Sequence, residues 1–183
     1  MNDKYRKEVN LVPLYPDISQ IVVPVHIGDA GEKKGRAIFA TEHIKEGTLV
    51  KDLLNGSTAI FKDAHTWRKF VLSLPREMAC NHLEWNWVQY IQPEKEDDID
   101  LWEGLSVFIA FDESSLLNAG DWDKWRDDSN VRCGSPPMHE GGERGPCRFH
   151  YYASRDIAAG EELLIKYNDF EDESQEGWKD IGL

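Results

Sequence analysis

Apolar positions in this chain fall mostly into short runs separated by glycine, proline and acidic residues. That pattern predicts a mostly β domain with small helical inserts. The β-branched run Ile21-Val22-Val23-Pro24-Val25 predicts a strand, and Pro24 puts it at a sheet edge. Residues 26–34, with two glycines and mixed charge, read as a loop, and residues 37–41 return to strand. Short strands are also expected over residues 48–50, 57–60, 88–91, 105–111, 149–154 and 162–167. Between them the period changes. Ala64, Trp67, Phe70, Val71 and Leu74 share one face at helical spacing, Asp63 stands at the N-cap position and Pro75 follows the stop. A second short helix is expected over residues 76–83. Residues 119–146 are rich in Gly, Asp, Pro and Ser and read as one long loop, a length that compact domains mostly reserve for function. Residues 155–167 read as a strand, a tight turn at Ala159-Gly160 and a second strand that delivers Tyr167.

With 183 residues the chain suits one domain with a real core. Residues 1–17 are polar, contain Pro13 and Pro16, and read as an N-terminal arm. The net charge of −13 argues against unaided binding to a phosphate backbone and fits a basic protein or peptide partner. No apolar run reaches membrane-spanning length, and the first residues lack the apolar core of a secretory signal. Cys80, Cys133 and Cys147 are odd in number and too few for a disulfide framework, so reduced thiols in an intracellular protein are expected. Nuclear, cytoplasmic and plastid locations are not separated by these features. Cys133, His139, Cys147 and His150 match no standard zinc spacing, and no metal is expected. Cys80 reads as a buried structural cysteine.

Three phrases carry chemistry. Lys34-Gly35-Arg36 opens into a strand, where glycine lets a ligand approach backbone amides and the basic side chains suit a carboxylate; an ordinary hairpin turn has the same composition. Asn118, after the apolar Leu116-Leu117, either braces a turn or binds a ligand. Tyr167 follows Gly160-Glu161-Glu162-Leu163, and is either packed core or a reactive-site phenol.

In this order the phrase of residues 34–47, the Leu-Leu-Asn-Ala phrase with Ser129-Asn130 behind it, and the Gly-Glu-Glu-Leu phrase ending in Tyr167 resemble the SET-domain family of protein lysine methyltransferases. The resemblance covers roughly residues 20–178. It implies a β-clip-like fold of several short sheets with a knot-like C-terminal segment. The SET domain would span residues 18–170, with 61–104 a variable insert and 171–183 a tail packing on the site. It further implies S-adenosyl-L-methionine as cofactor and a lysine-containing protein or peptide as substrate; the charge balance adds that this partner is basic and, with the lack of a long apolar run, that neither nucleic acid nor membrane is bound directly. By the same resemblance Tyr167 is the catalytic tyrosine. Lys34, Gly35, Arg36, Asn118, Ala119, Tyr167 and Trp178 are the cofactor candidates, and Ile165 and Phe170 belong to the substrate channel. Ile165 stands where relatives often carry Phe or Tyr, which implies multiple methylation. Ala37 replaces a usual glycine and Ala119 a usual histidine. Those replacements favour an alternative, a catalytically weak or inactive SET-like protein- or peptide-binding module. A small-molecule or peptide methyltransferase on the same scaffold is a third reading.

Overall fold

The computed structural model describes residues 19–32, 34–55, 58–84, 86–91, 104–120, 128–134, 147 and 149–169. Three small sheets and two helices make up this part, the mostly β architecture that the spacing of apolar runs predicts.

The first sheet is a two-stranded antiparallel ribbon of β1 (Val25–Asp29) and β2 (Arg36–Ala40). β1 falls where the sequence reads as a loop. Its residues are half or fully exposed, so it lacks the alternation that marks a strand in sequence. The expected strand at residues 21–25 reduces to a single bridge between Ile21 and Lys51, followed by an irregular approach to β1.

The second sheet has the order β3-β9-β8-β10-β7, from β3 (Leu49–Asp52), β7 (Asn118–Ala119), β8 (Val131–Cys133), β9 (His150–Ala153) and β10 (Leu164–Ile165). β10 runs parallel to both of its neighbours, with Leu164 beside Asn118 and Ile165 between Ala119 and Val131. The last strand is therefore slotted between two strands laid down much earlier. Strand β8 lies inside the stretch that reads as one long loop, and β7 ends at its first residue, Ala119; residues 121–127 and 135–146 of that stretch lie outside the described residues. The expected hairpin at Ala159-Gly160 is also corrected. Its turn exists, with Gly160 at φ +83°, but the two arms pair elsewhere: Ile157 with Ile44, and Leu163 through its N–H with the Ile38 carbonyl at 2.8 Å.

The third sheet, β4-β6-β5, combines β4 (Thr58–Phe61), β5 (Asn86–Ile91) and β6 (Gly104–Ala110). Between β4 and β5 lie α1 (Ala64–Ser73) and α2 (Arg76–Glu84). Asp63 caps α1 by accepting the Thr66 N–H at 2.7 Å, and Ala64, Trp67 and Val71 form its buried face. Trp67 and Val71 pack with Phe61, Val107 and Ile109 into a satellite core. The main core sits on the five-stranded sheet and includes Ile38, Val50, Phe108, Leu117, Val131, Tyr151, Ile157 and Leu163.

Two expectations about cysteine are overturned. Cys133 and Cys147 are joined as a disulfide with a Cα–Cα distance of 4.8 Å, and Cys80 is exposed rather than buried. Cys133 and Cys147 neighbour each other only because β8 and the approach to β9 are brought together by an antiparallel ladder, a non-local effect that spacing does not reveal.

Candidate active site

Each of the three sequence phrases contributes one wall to a single cluster. The Lys34-Gly35-Arg36 turn joins β1 to β2, and Gly35 adopts φ +69°, a left-handed conformation that favours glycine. A Cβ built at Gly35 meets nothing within 4 Å, so the turn faces open space. β2 lies along residues 160–163, which brings the Gly-Glu-Glu-Leu phrase to the same edge.

Glu162 links the phrases. Its carboxylate takes the Lys34 ammonium at 3.2 Å and the Asn118 side-chain amide at 2.9 Å. The same Asn118 amide nitrogen also reaches the Arg36 carbonyl at 3.4 Å. Lys34 and Arg36 of one turn and the distant Asn118 thus meet around a residue that the motif contains but that sequence reasoning gives no role. The signal was the second acidic residue of the phrase, placed where it must lie against β2.

Asn130 fastens this edge from below. It is wholly buried, and its side chain accepts the Leu164 N–H at 2.8 Å while donating to the Glu162 carbonyl at 2.8 Å and to the Glu161 carboxylate at 3.2 Å. Glu161 is also paired with Arg155 and accepts the Ala158 N–H. Burial pushes the Glu161 carboxyl up, but these hydrogen bonds outweigh it and hold the group below the usual carboxylate range. Arg155 is shifted the other way, upward, chiefly by its hydrogen bond to Glu161.

Tyr167 begins a short 3-10 turn, Tyr167–Asp169, directly after β10. Its hydroxyl donates to the Leu117 carbonyl at 3.3 Å, one residue before Asn118. The phenol and the Asn118 amide therefore border the same strand end, although 49 positions separate them (167 − 118). Ala119 pairs with Ile165 through the main chain, and Ile165 is buried at 5% exposure. Phe170 and Trp178 lie outside the described residues. Of the four residues weighed for zinc, Cys133 and Cys147 are consumed by the disulfide and His139 lies outside the described residues. His150 stands 3.5 Å from Asp52.

The cluster offers a cation (Lys34), an anion (Glu162), an amide (Asn118) and a main-chain carbonyl (Arg36) around an open glycine turn. That donor set matches both ends of an amino-acid zwitterion. The Tyr167 hydroxyl adds a polar group at the Leu117 carbonyl, one residue before Asn118.

Residues 35–168 match the family model described as the SET domain. No curated protein sequence matches the chain. Among solved structures, the fold is similar to the Chaetomium thermophilum Polycomb Repressive Complex 2 in an autoinhibited conformation bound to S-adenosylmethionine, at 20% identity over 86% of this chain and 17% of that one, with TM-score 0.51. It is also similar to the Neurospora SET-domain protein DIM-5, a histone lysine methyltransferase, at 15% identity over 81% of this chain and 53% of that one, with TM-score 0.46. CpSET8 from Cryptosporidium shows 17% identity over 80% of this chain and 58% of its own, with TM-score 0.49. The chain thus spans about half the length of the Neurospora and Cryptosporidium proteins and a smaller share of the Chaetomium one.

Proposed function

The chain belongs to the SET-domain family, and on that premise we propose that it is an S-adenosyl-L-methionine-dependent protein-lysine N-methyltransferase. The observation that carries the reading is the meeting of Tyr167 with the Asn118 edge: one hydroxyl bonded to the Leu117 carbonyl, the next residue's amide bonded to Glu162.

The donor set fits the amino-acid end of the cofactor. Asn118, the Arg36 carbonyl, Glu162 and Lys34 supply partners of both signs for its ammonium and carboxylate. When bound, S-adenosylmethionine supplies a methyl group on a sulfonium sulfur. The protein's own task is then alignment. A lysine amine titrates near 10.4 in water and must be neutral to act as nucleophile. An apolar substrate channel bordered by Ile165, as the family resemblance implies, would disfavour its charged form. The Tyr167 hydroxyl, which donates its proton to the Leu117 carbonyl, would orient the incoming amine by accepting a hydrogen bond from it. The substrate class is a lysine-bearing, basic protein segment, in keeping with a net charge of −13.

The test is direct. Isothermal titration with S-adenosylmethionine, together with tritium transfer from labelled cofactor into a fractionated lysate, is expected to show saturable heat and a labelled protein band. Absence of heat and of any thermal shift at millimolar cofactor overturns the reading in favour of a binding module without catalysis.

A further inference from the structure

β8 holds the chain on both sides of Tyr167. On one side Val131 pairs with Ile165 in the parallel ladder. On the other, Asp169 is gripped by the next two residues of the same strand. Arg132 Nε donates to Asp169 Oδ2 at 2.6 Å and Arg132 Nη2 to Oδ1 at 2.7 Å, while the Cys133 backbone N–H donates to Oδ2 at 3.2 Å. This fork-to-fork pair is mostly out of solvent, with side-chain exposures of 23% for Arg132 and 12% for Asp169. Planar bidentate geometry of this kind fixes direction as well as distance. Residues 166–168 therefore arch between two feet on one strand, and Tyr167 rides on the arch. The ring's hydroxyl donates to the Leu117 carbonyl at 3.3 Å, just before β7.

We propose that Arg132, acting through Asp169, is a positioning residue that sets the placement of Tyr167. The inference deepens the methyltransferase reading and rests on it for its kinetic consequence; the geometric consequence is independent. Arg132 does not touch the amine or the methyl donor. It determines where the phenol stands, and misplacement of a reacting group's partner by about 1 Å costs on the order of a hundredfold in rate.

The experiment has two readouts. The first is 19F NMR of the full chain carrying 3-fluorotyrosine at position 167, in the parent and in Arg132→Ala, Arg132→Lys and Asp169→Asn. The fluorine resonance is expected to shift or broaden in Arg132→Ala and Asp169→Asn, with Arg132→Lys intermediate because an ammonium cannot satisfy both oxygens. The second is tritium transfer from S-adenosylmethionine to core histones as the acceptor. Arg132→Ala is expected to lower kcat at least tenfold with the cofactor Kd unchanged within twofold, and ethylguanidinium is expected to restore part of the loss in Arg132→Ala but not in Asp169→Asn. An unmoved fluorine signal in a folded Arg132→Ala overturns the proposal. So does an unchanged kcat, or a loss of cofactor affinity equal to the loss of rate. If the parent transfers no methyl while Arg132→Ala moves the fluorine signal, the enzymatic reading fails and the arch stands.

Discussion

Asn118 and Glu162 are bound to each other before any ligand arrives, so each residue's loss is felt by the other. Asn118→Ala leaves the Glu162 carboxylate and the Arg36 carbonyl one donor short. The expected outcome is cofactor binding weakened by about 1–3 kcal/mol, read by calorimetric titration. Tyr167→Phe removes only the hydroxyl and its bond to Leu117, and is expected to leave folding and cofactor affinity intact while turnover falls by about a hundredfold or more; retained turnover on a proven substrate removes the phenol from its role. Lys51 gives a prediction of a different kind. It is 4% exposed, with its ammonium 5.0 Å from the Trp87 ring centroid and 5.3 Å from that of Tyr151. Desolvation lowers its pKa from 10.5 to about 8, against the opposing pull of Asp112. Below that value the folded state carries a charge that the unfolded chain solvates better. The penalty is full below pH 8 and fades as pH rises toward 10.5, so this group makes stability increase across that window, by about 3 kcal/mol in all. Lys51→Met is expected to raise the thermal midpoint at pH 7 and to flatten the rise between pH 8 and 10. Melts at those values decide it: an unchanged slope shows that Lys51 is not the group responsible.

The elements divide by how local their causes are. α1 is legible because cap, apolar face and stop all lie within a dozen residues. The Gly-Glu-Glu-Leu phrase announces its tyrosine, but not the partners of its two arms. Those partners, Ile44, Ile38, Asn118 and Val131, are chosen by sheet topology, and no local propensity encodes a parallel slot two residues long. β1 escapes for the opposite reason: in an exposed ribbon, backbone hydrogen bonds decide and hydrophobic alternation is absent. Ser129-Asn130 is visible as part of a family phrase, yet its mechanical role emerges only from the sheet. Asn130 supplies through one side chain a hydrogen bond to β10 at Leu164 and another to the Glu162 carbonyl just before it, beside the main-chain bonds of the sheet. Asn130→Ala strands the Leu164 N–H and the Glu162 carbonyl and leaves a small void. A loss of about 2–4 kcal/mol is expected in urea denaturation, with weakened cofactor binding because Glu162 moves with its backbone. A change below about 0.5 kcal/mol contradicts that role.

At the scale of the molecule, composition misled in one respect. Three cysteines suggest free thiols, whereas the fold joins two of them across a separation of 14 residues. A loop of about that size stabilises by about 3 kcal/mol in the chain-entropy account. Alkylation followed by mass measurement is expected to label one thiol, the exposed Cys80, in the untreated folded protein. After reductant and denaturant all three are expected to react, and the thermal midpoint to fall under reductant alone. Three reactive thiols in the untreated protein remove the bridge. The charge balance of the whole chain, by contrast, is legible from composition alone and constrains partners without any knowledge of the fold. The seating of β10 between β7 and β8 bears on how the protein is born. A nascent chain that ends at residue 150 contains the residues of β7 and β8 but not β10, which lies between them in the finished sheet, nor Glu162 and Tyr167. On the proposed reading, a chain cut short before residue 162 lacks both Glu162 and Tyr167 and is expected to transfer no methyl group.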